Sequence, residues 1–253
     1  MNAEFDLSGR VAIVTGAGHS IGRATALALA GAGADVALAG RRIGPLEDTA
    51  AEVTRHGVRA MAMECDVSEE RDVRLLAERC ARELGSPEVL VANAGVFQEW
   101  GPSELLGLEE WDRVESINLR GLWICCQEVG RRMIASGRGS IVTISSIGGM
   151  VAIPNAVSYT AAKFGVVGIT KALAAEWAQH GVRVNCVAPG YVRRDVETLE
   201  DSPEVLAGVL ARTPMGRLGE PREVGLAVAF LASGAAGFIT GATLVVDGGW
   251  LTT

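Results

Sequence analysis

Three histidines are all the chain has, and His19, His56 and His180 lie far apart, none opening a spaced pair. Without such spacing a metal site is not expected, and the chemistry is read as metal-independent. Cysteine is similarly thin: Cys65, Cys80, Cys125, Cys126 and Cys186 make an odd set, mostly inside apolar runs. That argues against a disulfide framework and for reduced core thiols. Basic residues are outnumbered, 23 against 30 acidic, for a formal net charge of −7, and the arginines are scattered. A nucleic-acid surface is therefore not expected. The 253 residues hold no linker, low-complexity tract or internal repeat, so one domain spanning residues 1–253 is the reading. The start, Met-Asn-Ala-Glu-Phe-Asp-Leu-Ser-Gly-Arg, has neither the basic opening nor the apolar stretch of a secretory signal, which points to the cytoplasm. One uncharged run, Val224 to Val246, is long enough to cross a bilayer. Ser233-Gly234 and the stretch from Gly237 to Gly241 divide it into a helix, a turn and a strand, and no membrane association is expected.

What the chain has in quantity is apolar sequence, 49% of its residues, enough for a full core. Strand-like runs at Val11–Thr15, Val36–Ala39, Ala60–Cys65, Val89–Ala92, Ile141–Ile144, Val182–Val187 and Thr243–Val246 alternate with helical patterns. Alternation of this kind predicts parallel βαβ units. The strands are continuously rather than alternately apolar, so both faces of the sheet should be covered by helices, as in a doubly wound α/β fold. Ligands in such sheets bind beyond the carboxyl ends of the strands, where Thr15, Asp66, Asn93, Ser146 and Pro189 fall.

Two of those strand ends carry recognisable chemistry. Val11 to Gly22 runs from an apolar strand through glycines into an alanine-rich helix. Such a turn lets backbone N–H groups and the helix dipole approach a pyrophosphate, although glycines there also serve as plain turn residues. Gly-Ser-Ile-Val-Thr-Ile-Ser-Ser brings Ser145 and Ser146 to another strand's edge. Thirteen residues beyond Ser146, Tyr159 and Lys163 stand four apart, the spacing that sets a phenol and an ammonium on one helix face. A phenol with a pKa of about 10 is a poor base at neutral pH, and a neighbouring cation favours the phenolate.

Thr-Gly-Ala-Gly-His-Ser-Ile-Gly (15–22), Asn93-Ala94-Gly95, Asn118, Ser146, Tyr159 with Lys163, Pro189-Gly190 and Thr-Gly-Ala-Thr-Leu-Val-Val-Asp-Gly-Gly (240–249) occur in the order and spacing of the short-chain dehydrogenase/reductase family, which the chain resembles over nearly its whole length. The resemblance implies a single-domain Rossmann fold with a seven-stranded, mostly parallel sheet and helices on both faces. It implies an NAD(P)-dependent oxidoreductase that interconverts a secondary alcohol and a ketone, with small-molecule substrates and a homodimer or homotetramer. Tyr159 becomes the general acid/base, Ser146 the donor to the substrate oxygen, Lys163 the phenol tuner and ribose ligand, and Asn118 the holder of a relay water. The dinucleotide would rest on Gly16, Gly18, His19, Ser20, Ile21, Gly22, Arg41, Arg42, Asp66, Val67, Asn93, Ala94, Gly95, Tyr159, Lys163, Pro189, Gly190 and Val192. Asp66 matches the acceptor for the adenine amino group, with a helix cap as its plainer role.

The chain departs from the family in three places. Ser20 replaces the middle glycine of the loop, where its Cβ narrows the approach while its hydroxyl is suited to donate to phosphate and Gly18 to relieve the turn. Gly40 stands where NAD-using relatives carry an acidic residue, and Arg41 and Arg42 follow at once. Guanidinium groups suit a 2′-phosphate, so NADP(H) is expected, with NAD(H) open if both arginines are merely solvated. Arg194 replaces a threonine near the nicotinamide; Arg193 and Arg194 suit a substrate carboxylate, a cofactor phosphate, or Asp195 and Glu197 on a lid. Glu176-Trp177-Ala, Pro-Gly-Tyr and the ending Val-Asp-Gly-Gly-Trp-Leu are similar to the gluconate and deoxygluconate dehydrogenase branch, which implies a sugar acid or polyol. Reduction of a 3-oxoacyl thioester is the alternative, and a non-catalytic dinucleotide sensor or scaffold is the reading of another class. The helix carrying Trp123 and Cys125-Cys126, and the apolar C-terminal segment, are assigned either to contacts between subunits or to the internal core.

Overall fold

Runs of valine, isoleucine and alanine too short for a helix and bounded by turn residues extend into seven strands: β1 Val11–Thr15, β2 Asp35–Gly40, β3 Ala60–Glu64, β4 Val89–Ala92, β5 Gly139–Ile144, β6 Val182–Pro189 and β7 Thr243–Val246. The computed structural model describes residues 3–193 and 202–253. The strands pair in one sheet in the order β3-β2-β1-β4-β5-β6-β7, every pairing parallel. Direction reverses at β1, which pairs with β2 on one side (Thr15 opposite Ala39) and β4 on the other (Val14 opposite Val91). That reversal opens a crevice above the carboxyl ends of β1 and β4.

Helices α1 (Ser20–Gly31), α2 (Ile43–Thr54) and α8 (Pro221–Ala232) cover one face, burying Leu29, Leu46 and Val228 against Val14, Leu38 and Val142. On the other, α3 (Glu70–Glu83), α5 (Leu122–Ser136) and α6 (Val157–Trp177) pack Leu76, Met133 and Val166 against Ile13, Leu90 and Ile141. Each such side chain contributes about 1.5–3 kcal/mol by leaving water, and truncating one to alanine costs about 2–5 kcal/mol. Of two further helices, α4 (Leu108–Glu115) packs on α6 and bonds the loop after β4 through Glu110 and Arg113, and α7 (Pro203–Arg212) meets the C-terminal segment through Arg212. Local chemistry sets the helix ends: Pro221 opens α8 behind a reciprocal Glu220–Glu223 capping box, and α5 stops at Gly137, whose φ of +70° favours glycine.

Coverage of both faces holds for β1, β2, β4, β5 and β6 but not at the sheet's edges. β7 is half-buried along its whole length, and β3 buries only Met61 fully, because an edge strand has a neighbour on one side alone. The uncharged run from Val224 to Val246 resolves into α8, a short turn and β7. Among the described residues, no helix is long and apolar enough to cross a membrane. All five cysteines are buried and free. On α5 the two readings divide: Cys125 and Cys126 are core within the chain, whereas Trp123 is 36% exposed. Trp250 of the C-terminal segment packs internally, under the Arg212 guanidinium at 3.7 Å.

Between α4 and α5 the chain makes a π-helical turn, Ser116–Gly121, so the two helices form one rod with a wider turn in the middle. Gly121 sits at its end because a Cβ there would lie 2.8 Å from the Val67 side chain.

Candidate active site

The crevice is a cleft of about 450 Å³, and its walls collect the strand-end residues in two groups. At the β1 end, Gly16 takes a φ of +66° and leads into α1. A Cβ at Gly22 would collide with the Gly16 carbonyl oxygen and lie 2.7 Å from Asn93 Nδ2. Only bare backbone fits at Gly16 and Gly22, which leaves a cradle at the helix N-terminus of the kind that receives a pyrophosphate. Ser20 itself adopts the left-handed conformation, with φ +43°, and Gly18 does not. Gly18 instead lets the loop lie on α2, since a Cβ there would be 3.0 Å from Pro45 Cβ. The expectation that Gly18 relieves the turn is thus corrected: the serine carries the strain, worth about 1–3 kcal/mol for a residue with a Cβ.

Thr15 and Asn93 lock the strands beneath this cradle. Asn93 Nδ2 donates to the Thr15 carbonyl at 2.8 Å, while Thr15 Oγ1 accepts from the backbone N–H groups of Asn93 and Ala94, both at 3.0 Å. Asp66 Oδ1 accepts from Ser68 N (3.0 Å) and Ser68 Oγ (2.7 Å), closing the turn before α3 while the residue faces the cleft with Val67. Beyond β2, Arg41 and Arg42 form the rim, and Arg42 Nη2 donates to His19 Nε2 at 2.7 Å. Because a guanidinium only donates, Nε2 is the acceptor in this contact. A Cβ at Gly40 would meet nothing nearer than Leu46 Cδ2 at 3.5 Å, so bulk is not what makes this residue glycine.

The other group stands over β4, β5 and β6. Ser146, at the end of β5, accepts a hydrogen bond from Gly148 N at 3.1 Å, an arrangement that leaves the hydroxyl proton to be donated. Tyr159 and Lys163 lie on α6 as their spacing predicts, with Lys163 Nζ 5.6 Å from the centre of the tyrosine ring. Gly148 links the pair to Ser146, since a Cβ there would lie 3.4 Å from Tyr159 Cε1. Lys163 is buried and donates to the Ile144 carbonyl at 2.9 Å. Burial pulls its pKa down from 10.5 to about 8, because desolvation penalises the ammonium. Asn118, in the π turn, is buried with both ends of its amide on one backbone unit: Oδ1 accepts from Val96 N at 2.7 Å and Nδ2 donates to Val96 O at 2.8 Å. Gly95 is flanked by Asn118 Oδ1 and Lys163 Nζ, 3.2 and 3.6 Å from where its Cβ would be.

Of the residues named from the sequence for catalysis or for holding the dinucleotide, all line the cleft except Asn118, which stands behind the wall beside Ile117; Thr15 likewise lies beneath the lining. Pro189, Gly190 and Val192 close its far side, and Gly190 fits because a Cβ would press on Asp247 at 2.8 Å. Arg193 pairs with Glu220 at 3.0 Å on the surface. Arg194, Asp195 and Glu197 lie outside the described residues.

Four further residues shape this half of the cleft. Ser145 Oγ donates to the Lys163 carbonyl at 2.8 Å and pins α6 to β5. Phe97 lies on Tyr159 with ring centres 4.5 Å apart, and Trp100 stacks on Phe97 at 5.7 Å, forming an aromatic wall beside the phenol. Gln98, between them, is 4% exposed and hydrogen-bonds the start of α6. Ser145 is legible in the sequence as half of a serine pair at a strand edge, whereas its bond to the Lys163 carbonyl is not.

Known proteins resemble the chain along its length. A family model described as enoyl-(acyl carrier protein) reductase matches residues 16–251. The cis-4-hydroxycyclohexanecarboxylate dehydrogenase of Sinomonas cyclohexanicum is 46% identical over 242 residues, covering 95% of this chain and 96% of that protein. The D-threitol dehydrogenase of Mycolicibacterium smegmatis is 41% identical and covers 98% and 95% of the two. A gluconate 5-dehydrogenase from Burkholderia cenocepacia, crystallised with NADP and tartrate, superposes with a TM-score of 0.94 at 35% identity, over 99% of this chain and 98% of that one.

Proposed function

The chain belongs to the short-chain dehydrogenase/reductase family of oxidoreductases, and from that premise we propose that Tyr159 is its general acid/base in interconverting a secondary alcohol and a ketone with NADP(H). The observation that carries this reading is the convergence of Ser146, Tyr159 and Lys163 beside a glycine cradle in one cleft. The cradle and the arginine rim fit a phosphorylated dinucleotide: Gly16 to Gly22 receive the pyrophosphate, Arg41 and Arg42 the 2′-phosphate, Asp66 and Val67 the adenine, and Lys163 the ribose by the nicotinamide. Bound there, the dinucleotide supplies or accepts the hydride.

The protein's own part is proton and charge handling. Tyr159 takes the hydroxyl proton in oxidation and returns it to the developing alkoxide in reduction. Ser146 donates to that oxygen, a term worth about 2–4 kcal/mol when the donor is aimed at the developing charge. The Lys163 ammonium stabilises the phenolate, and Asn118 holds both the loop at Val96 and the relay water beside the lysine.

Polar groups gather at the reacting end, while Phe97, Trp100, Ile147 and Ile153 make the rest of the wall apolar. Such a wall suits a small sugar acid, polyol or cyclic alcohol that turns a C–H face to the aromatic ring. The family description alone favours a thioester of an acyl carrier, and a polar substrate panel run against a thioester panel separates the two. A cytoplasmic location belongs to the same reading, supported by five free buried thiols. So does a homodimer or homotetramer, supported by half-exposed Trp123 and Phe164 on α5 and α6. The test is Tyr159→Phe: kcat should fall about 10²–10⁴-fold with dinucleotide affinity kept within about twofold. Retention of more than about a tenth of kcat would refute the role.

A further inference from the structure

The helix that carries Tyr159 lacks a cap of its own. The residue before α6 is Ala156, whose side chain accepts nothing, so the first-turn N–H groups need a partner from elsewhere. Gln98 supplies it from the loop after β4. Its Oε1 accepts from Ser158 N at 2.9 Å, Ser158 Oγ at 2.8 Å and Tyr159 N at 3.2 Å. Its Nε2 donates to the Asn155 carbonyl at 3.1 Å and the Glu99 carbonyl at 3.3 Å. Three donors on the oxygen and two carbonyls by the nitrogen fix which way the amide faces. Asn155 holds a left-handed φ of +62°, and its carbonyl also accepts from Gly101 N at 3.4 Å.

From this we infer that Gln98 is a positioning residue for Tyr159, tying the first turn of α6 to the loop whose Phe97 and Trp100 form the substrate wall. The inference rests on Tyr159 being the acid/base. One amide holds the backbone N–H of Tyr159 itself and lies next in sequence to the ring packed on its phenol. The phenol and the wall are therefore set in common register. A local Ser or Asp cap would satisfy the helix but leave the wall unattached. Displacement of a reacting group by about 1 Å costs up to about 10²-fold in rate, so slackening this tie should appear in turnover. Gln98 bonds Glu99, Asn155, Ser158 and Tyr159, away from the dinucleotide cradle over β1 and β2, which should not feel its loss.

The experiment compares Gln98→Met, which keeps the length but no polar atom, with Gln98→Glu, which keeps the acceptor toward α6 and loses the donor. Gln98→Met should lower kcat about ten- to hundredfold while KM rises less and NADPH affinity stays within about twofold. Gln98→Glu should restore kcat to within about fivefold of the parent, because a carboxylate at a helix N-terminus accepts the same N–H groups. Gln98→Met with more than half the parent kcat, Gln98→Glu as impaired as Gln98→Met, or NADPH affinity lost in step with kcat would each overturn the inference. Tyr159→Phe is measured beside them. If it stays active, the acid/base reading falls and takes this one with it; if it is inactive while Gln98→Met is not, Gln98 alone is refuted.

Discussion

One half of the cleft is made of backbone and the other of side chains. Over β1 and β2 the surface is glycine turn and helix N-terminus, where a Cβ at Gly22 has no room. Over β4 and β5 the surface consists of side chains, Ser146, Tyr159 and Lys163, each held by a further bond: Gly148 N to Ser146, Gln98 to the helix start, Ser145 and Ile144 to Lys163. A phosphate needs donors at close range, and backbone supplies them without side-chain entropy to lose. A proton transfer needs atoms aimed at one point, which takes side chains that are themselves restrained.

The contrast predicts that the backbone half breaks by added bulk. Gly22→Ala should weaken dinucleotide binding at least about hundredfold and lower Tm by several degrees, since overpacking costs about 1–3 kcal/mol and the added methyl would meet the Gly16 backbone carbonyl and the Asn93 amide. Titration of nicotinamide fluorescence and a melting curve check it; near-parental affinity would mean the turn is looser than its geometry. At its rim the same half should be tunable by charge. Gly40→Asp fits the space above Leu46, adds an acceptor for ribose hydroxyls and repels a 2′-phosphate. It should move the ratio of kcat/KM for NADPH over NADH about ten- to hundredfold toward NADH, and an unchanged ratio would remove Arg41 and Arg42 as phosphate readers.

The side-chain half should show the smallest effect on stability and in the opposite direction. Lys163 is held at a pKa of about 8 against an ordinary 10.5, so the unfolded chain binds the proton more tightly than the folded one. Below about pH 8 the buried ammonium is a full liability; the folded state regains stability as pH rises from about 8 to 10.5, where both states lose the proton. Lys163→Met should therefore abolish turnover yet raise Tm by about 2–4 °C at pH 7, the shift that roughly 1 kcal/mol gives a chain of this size. The gap should close above pH 10, and a pH-independent gap would show that desolvation is not its cause.

The same contrast decides what could be read beforehand. The backbone half was legible because glycine spacing and β-branched runs are local: Val11–Thr15 and the turn to Gly22 lie in one stretch of sequence. Tyr159 and Lys163 were legible through helical periodicity. The role of Gln98 was not, because the groups it holds around the start of α6 are 57 to 61 residues away and glutamine carries no positional preference. The one trace was negative, an alanine where α6 needs a cap. Arg193 pairs with Glu220 across 27 residues, a partner that neither spacing nor charge pattern singles out. The half-buried edges of β3 and β7 escaped notice because hydropathy does not say which strands lie outermost.

The π turn at Ser116–Gly121 touches both halves at once. Gly121 abuts Val67 and Arg120 donates to the Ser68 carbonyl at 2.7 Å on the Asp66 side, while Asn118 grips Val96 on the other. It is a gauge block, six residues long, that sets the span between the two ends of whatever lies in the cleft. Insertions have room in the loops on the outer surface. A single residue removed from this turn would shorten the gauge and swing Asn118 off Val96, so drift in chain length should stop here even where drift in residue identity does not.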